Sequence, residues 1–207
     1  MDFGTLAPRE QIDATIEACK ARGVAAEYVG TRQEALARIR SIIPAGASLS
    51  TGASLTLREI GLEELLVSGA HPWKNLKAEI VAEKDPARQS FLRRQSTLAD
   101  WFLGSAHGVS RTGELVWASL TGSQLAPYAY SARNVIWVVG AQKLVPSVEL
   151  ALRRVREYVL PHEDVRQRTA TAGRMGSGIG KLLIFENEAP FLGRKVYLII
   201  VGEKLGD

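Results

Sequence analysis

Hydroxyl and glycine residues gather in two turns of this chain, each at the end of an apolar segment. The first lies in Leu49 to Leu66, LSTGASLTLREIGLEELL, where an apolar lead-in meets Gly52 and then a leucine-rich helix. Thr51, Ser54 and Thr56 put hydroxyls where a helix exposes its first unpaired N–H groups, and Gly52 lets the backbone turn sharply. Free amides and the positive end of a helix dipole suit a phosphate or carboxylate, with the hydroxyls completing its shell. The same residues also serve structure: Thr56-x-x-Glu59 has the form of a capping box, the threonine capping the helix and the glutamate folding back onto its first N–H. Capping alone and a cradle that also caps both fit the spacing, and neither names a reaction. The second turn is Thr121-Gly122-Ser123-Gln124, and Ser105 stands in a further turn at Gly104 to His107. Two such turns from separate strand–helix units can close on one small anionic ligand.

The acid–base candidates are Glu59, Asp100, His107 and Glu114, and the cations assigned to an anion are Lys143 and Arg166. Glu114 is the carboxylate best placed to face the loop, although alternation along its strand equally turns it outward. Cys19 is the one cysteine. On the helical stripe with Ile12 and Ile16 it reads as a buried small hydrophobe. His71 follows Gly69 in a surface loop with no second histidine or cysteine near it in sequence, and it reads as solvated. The segment GRMGSGIGK at Gly173 to Lys181 invites a nucleotide loop and fails. A Walker loop needs glycine where Met175 stands and serine or threonine where Leu182 stands, and the dinucleotide pattern needs a third glycine where Lys181 stands. It reads as a flexible connection. No cofactor motif and no metal-ligand spacing is evident.

The elements that must hold these residues alternate between helix and strand. Helical spacing runs from Arg9 to Arg22, and Val24 to Val29 reads as a strand. Thr31-x-x-Glu34 opens a helix with Leu36, Ile39 and Ile43 on one face. Leu55, Leu62, Leu65 and Leu66 give the next helix its apolar side. A short strand is expected near Glu79 to Ala82, and a helix from Asp85-Pro86 to about Ala99 with Arg88, Arg93 and Arg94 on a solvated face. Trp101 to Leu103 and Leu115 to Ala118 read as buried strands, and Asn134 to Gly140 is the near-continuous apolar run of a strand covered on both faces. A helix after Pro146 carries Val148, Ala151, Leu152, Val155 and Val159 inward and Arg153, Arg154, Arg156 and Glu157 outward. Lys195 to Val201 is a last buried strand. This pattern predicts an α/β fold, a largely parallel sheet flanked by helices with a small N-terminal helical element, and ligands beyond the carboxyl ends of its strands.

With 207 residues, 46% hydrophobic and 23% charged, the chain has the composition of a globular protein that buries a core. The net charge of +4 is scattered and not gathered into a basic stripe, so nucleic acid is not expected as a partner. No stretch approaches the roughly 18 apolar residues of a membrane span, and the start lacks a basic segment followed by an apolar one. A cytoplasmic protein is expected.

Three stretches together resemble the LUD-domain family, the lactate-utilisation C-type proteins. They are STGASLTLREIGL at 50–62, ADWFLGSAHGVSRTGELV at 99–116, and VIWVVGAQKLV with its helix at 135–159; VYLIIVGEKLG at 196–206 fits as well. The resemblance implies a single LUD domain over 1–207, with 1–22 as an N-terminal helical appendage. It also implies a ribose-5-phosphate isomerase/CoA-transferase-like fold, in which a loop like TGASLT binds phosphate or sugar. It implies a role in oxidising lactate to pyruvate beside partners that carry iron–sulfur clusters. This chain departs from the family at Thr112-Gly113, where many members have aspartate-glycine, and at Gly122-Ser123-Gln124, where they often have glycine-asparagine-arginine. Where many short members have a cysteine cluster, it has GRMGSGIGKLLIFENE. An accessory or regulatory subunit binding a small anionic metabolite is the form these features imply. The alternative is an isomerase or acyl-CoA transferase-like enzyme acting on a phosphorylated or carboxylate substrate.

Protein purified without a histidine tag is expected to carry no stoichiometric iron or zinc, because one cysteine and three separated histidines offer no ligand spacing. Elemental analysis finding one bound equivalent would overturn this.

Overall fold

A computed structural model describes residues 2–207. Helix α1 (Arg9–Ala21) buries Ile12, Ile16 and Cys19, and Gly23 closes it ahead of strand β1 (Ala25–Val29). Helix α2 (Arg32–Ile42) opens with the capping box at Thr31, whose hydroxyl accepts the Glu34 N–H at 3.2 Å. Strand β2 (Ser48–Thr51) leads through the first hydroxyl turn into α3 (Leu55–Glu59) and α4 (Leu62–Ser68). Then come β3 (Lys74–Asn75), α5 (Leu76–Ala82) and α6 (Pro86–Gln95), the last capped by Asp85. Strands β4 (Trp101–Gly104), β5 (Gly108–Ser110), β6 (Leu115–Ser119), β7 (Asn134–Gly140) and β8 (Leu144–Val145) precede α7 (Val148–Arg154). A π-helical turn, Val155–Val159, joins α7 to α8 (Leu160–Ala170), and β9 (Lys181–Phe185) and β10 (Lys195–Val201) finish the chain.

Six strands form one sheet in the order β1-β10-β7-β4-β2-β3, and every pairing in it is parallel. Side chains alternate across it. Val135, Trp137 and Val139 of β7 enter one core with Val196, Leu198 and Ile200 of β10, while Ile136, Val138, Ile199 and Val201 enter the other. Helices α2, α3 and α4 cover the second face through Ile39, Leu57, Leu62 and Leu66. The first face is covered by α1 and by a smaller sheet, β8-β5-β6-β9, which brings Leu115, Trp117 and Phe185 against it. Helix α7 closes the outer side of that small sheet through Ala151 beside Val116 and Val145.

Several local expectations are revised by these contacts. Residues 79–82 belong to helix α5: Asn75 accepts the Lys77 N–H and Ile80 packs inward, so the short apolar run follows helical and not strand spacing. The helix expected across Leu55 to Leu66 breaks at Gly61, which adopts a left-handed conformation (φ 83°), and its apolar face is Leu57, Ile60, Leu62 and Leu66, with Leu55 only half-buried. The small sheet was not expected from the pattern, because β5 and β8 are too short to show a period and β9 follows the glycine-rich segment directly. Helix α1 is no outlying appendage, since its stripe lies in the main core with Val24, Ala26 and Leu115. Arg154, expected on the surface, is fully buried. His71 is half-buried, stacked on Trp73 and accepting its N–H at 3.2 Å.

Cys19 is fully buried, its Sγ 3.7 Å from the Gly113 carbonyl oxygen, and burial pushes its thiol up to about 12. Thiolate is the reactive form. Iodoacetamide at neutral pH is therefore expected to leave native protein unlabelled and to label it fully in denaturant. Rapid labelling of the native chain would refute the buried placement.

Candidate functional site

Parallel pairing sends β2, β4, β7 and β10 to the same edge of the sheet, and four segments meet there. Gly52 to Thr56 follows β2, Ser105 to His107 follows β4, a 3-10 turn at Ala141–Lys143 follows β7, and Gly202 to Asp207 follows β10. They enclose a cavity of about 220 Å³, with Glu163 and Arg166 of α8 on its far wall. This is the position beyond strand carboxyl ends that the fold class implies.

Lys143 stands at its base. It is only 2% exposed, and its Nζ donates to the Thr56 hydroxyl at 3.0 Å and to the Ser105 hydroxyl at 3.2 Å. Burial pushes its pKa down to about 7, the Arg154 charge adds to the effect, and Asp207 and Glu59 oppose it. His107 is beside it. Its Nδ1 accepts the Ala118 N–H at 2.9 Å, so the ring proton belongs on Nε2. Burial, with the charges of Lys143 and Arg154, pushes its pKa down to about 3. The ring is therefore a neutral hydrogen-bond donor at physiological pH and not a general base. Arg154 lies behind both, donating to the His107 carbonyl at 2.5 Å and to the Phe3 carbonyl at 3.4 Å. It contributes positive charge beside the buried Lys143 and His107, where low dielectric makes such charges act strongly.

The cap of α3 is Ser54, whose Oγ accepts the Leu57 N–H at 3.3 Å. Thr56 is one residue inside the helix, and its hydroxyl is committed to Lys143 and to the Leu205 carbonyl. Glu59 does not close a capping box. Its Oε2 accepts the Gly206 N–H at 2.7 Å and so anchors the C-terminal segment, which Gln142 also holds through the Leu205 and Gly206 carbonyls at 2.8 and 3.1 Å. Gly206 has φ 61°, and a Cβ there would sit 2.5 Å from the Thr56 hydroxyl and 2.9 Å from Lys143 Nζ, so only glycine lets the segment cross the amine so closely. Arg166 borders the cavity as expected but is already paired with Glu163 and Asp207.

Other expected site residues fall elsewhere. Glu114 is at the turn between β5 and β6, ion-paired with Arg22 and accepting the Thr112 hydroxyl at 2.5 Å. Burial works to raise its pKa, but the Thr112 and Ser110 hydroxyls and Arg22 outweigh it and hold the carboxyl below its ordinary range. It joins the end of α1 to the small sheet and does not face the cavity. Asp100 immediately precedes β4, at the opposite edge of the sheet, where the Ser48 N–H and hydroxyl at 3.0 and 2.8 Å hold its carboxyl below the ordinary range. Thr51 lines the groove beside α5 instead. Thr121 and Ser123 line an adjoining cavity of about 270 Å³ with the segment Met175 to Ile179, while Gly122 turns between them with φ 86° and its N–H on the Ser119 hydroxyl. The two hydroxyl turns do meet. A Cβ on Gly52 would lie 2.5 Å from Gln124 Oε1, so a larger residue there would push the Gln124 amide aside, and the position does not call for a left-handed turn.

Gln124, Arg154, Glu163 and Gly206 belong to the site and were not singled out from the sequence. Arg154 had a signal: it is three residues past Ala151 and one before Val155, at the border of the stripe.

The linkage sign for Lys143 is worked from its folded value of about 7 and its ordinary value of 10.5. Between those values the unfolded chain binds more protons than the folded one, so stability rises with pH across that window, and the cost of burial is fully present below it. Urea unfolding of the parent and of Lys143→Met from about pH 7 to 10 is expected to show the parent gaining stability relative to the variant as pH rises. A difference that stays flat would refute the depressed amine.

The LUD domain model matches residues 12–183. A crystal structure of a DUF162 family protein from Deinococcus radiodurans has the same fold, with a TM-score of 0.58 at 13% identity, over 96% of this chain and 100% of that one. No curated protein matches. Among the described residues, no helix is long and apolar enough to cross a membrane. The match over residues 12–183, most of its length, makes this chain a member of the LUD-domain family, and its parallel six-stranded sheet with helices on both faces agrees with that.

Proposed function

We infer that the cavity at Lys143 binds a small anionic metabolite, and that the protein serves lactate utilisation as a cytoplasmic accessory or regulatory subunit. Family membership supports a lactate-utilisation-related role at the level of the family. The observation that carries the binding reading is the bonding of Lys143, a buried amine whose hydrogen bonds go to two hydroxyls and not to a carboxylate. A buried cation without a counter-charge is costly. An anion entering the cavity supplies a directly bonded counter-charge, which Asp207 and Glu59 do not, and Arg58 at the wall reinforces the attraction. Oxidation of lactate needs an electron acceptor, and with a single cysteine in the sequence we assign that task to iron–sulfur partner proteins.

The isomerase or transferase reading requires a carboxylate free to act at the loop. Glu114 is held by Arg22, and Glu163, which does line the cavity, is shared between Arg166 and Gln167. No contact favours that reading over simple binding.

A panel of lactate, pyruvate, sugar phosphates and CoA esters is expected to contain a compound that raises the melting temperature of the parent protein. At 100 times its Kd the gain is about 2.7 kcal/mol, readily seen by scanning fluorimetry. Ser54→Ala and Ser105→Ala should lose most of that shift. Thr51→Val, whose side chain lines another groove, and His71→Ala should keep it. A panel that shifts nothing, or shifts all five proteins equally, would overturn the assignment.

A further inference from the structure

We propose that Lys143 is an amine nucleophile that forms an imine with a small anionic carbonyl compound held in the cavity, a step that rests on the anion-binding reading above. Three features of the site point to this. First, Lys143 is almost wholly buried, yet it borders the cavity, and its hydrogen bonds to Thr56 and Ser105 fix the direction of the amine. Second, among the described residues no carboxylate is hydrogen-bonded to it, and burial together with the Arg154 charge disfavours its ammonium form more than Asp207 and Glu59 favour it. With its pKa at about 7, a large share is free amine at neutral pH, against roughly one part in a few thousand for an exposed lysine. Third, a cavity of about 220 Å³ holds a compound of a few carbons with one anionic group, which Arg58 attracts to the cavity wall.

The chemistry closes without an oxidant or reductant. The Nζ lone pair adds to the carbonyl carbon, and the carbonyl electron pair moves to oxygen, which takes a proton. Nitrogen gives up its two protons in the course of the reaction, the former carbonyl oxygen leaves as water, and a C=N bond remains. The two protons that nitrogen sheds are the two that leave with the oxygen as water, so no side chain gains or loses a proton overall, and the His107 Nε2 hydrogen is available as a hydrogen-bond donor to the departing oxygen. Lysines activated by desolvation and by neighbouring cations form such adducts. This use of Lys143 differs from electrostatic attraction, for which arginine would serve as well.

Reductive trapping tests it on the full chain. Pyruvate provides the carboxylate arm and dihydroxyacetone phosphate the phosphate arm, each with cyanoborohydride from about pH 6 to 9, read by intact mass and peptide mapping. One adduct is expected, at Lys143, at least about tenfold over exposed Lys74 or Lys204 at neutral pH. Its rate should rise with pH through about 7 and then level off, whereas exposed lysines keep gaining. The arm that reacts identifies the anionic group. Lys143→Arg, which keeps the charge, should lose the adduct, and Lys143→Met should lose it too if arginine does not fit the site. Label confined to exposed lysines in the parent, or unchanged in a folded Lys143 variant, overturns the proposal. Should pyruvate raise the melting temperature without trapping at Lys143, the imine falls and anion binding stands; should neither compound trap, the imine falls, and anion binding falls with it when the whole panel also shifts nothing.

Discussion

Strand β7 is buried along its whole length, and that constraint runs through the rest of the molecule. A strand covered on both faces must be apolar at every position, and Val135 to Val139 meet that demand with side chains of alternate residues in two separate cores. One core needs α2, α3 and α4 above the sheet. The other needs α1 and the small sheet below it. Because β10 and β4 are the parallel neighbours of β7, their carboxyl ends arrive together, and the turn after β7 delivers Lys143 between them.

The polar residues at that edge arise from this burial. Lys143 and Arg154 are both buried basic groups, and a charge leaves water at a cost that must be offset by directed hydrogen bonds. Arg154 keeps its charge by donating to backbone carbonyls at His107 and Phe3, although burial brings its pKa down to about 10. Lys143 has only neutral hydroxyls, so its proton is held far more weakly. His107, wedged between two cations and accepting a backbone N–H, is neutral. One small volume thus holds a free amine, a neutral imidazole donor and further cations, a combination suited to an anionic or carbonyl ligand.

The carboxylates mostly hold the scaffold together. Glu59 fastens the segment after β10, Glu114 ties α1 to the small sheet, and Asp100 joins β4 to β2 through Ser48. Each is satisfied by specific donors, which explains why ionisable residues near conspicuous turns are not by that fact catalytic.

The sequence by itself determined the element types wherever a pattern was long enough to have a period: α1, α2, the helix after Pro146, and strands β7 and β10. It also located the hydroxyl turn and named Lys143, Ser54, Thr56, Ser105 and His107, all of which border the cavity. The motif spacing further carried the family resemblance. Only the tertiary structure decided which end of a strand each residue occupies relative to the others, and so it separated Asp100 and Glu114 from the site while adding Gln124, Glu163 and Gly206. It also turned Arg154 inward and made the helix from Leu55 two pieces. The reason is physical: local spacing reports which side of an element a residue takes, whereas burial, ion pairing and proton affinity are set by atoms from distant parts of the chain, such as Gly206 beside Thr56 or Arg22 beside Glu114.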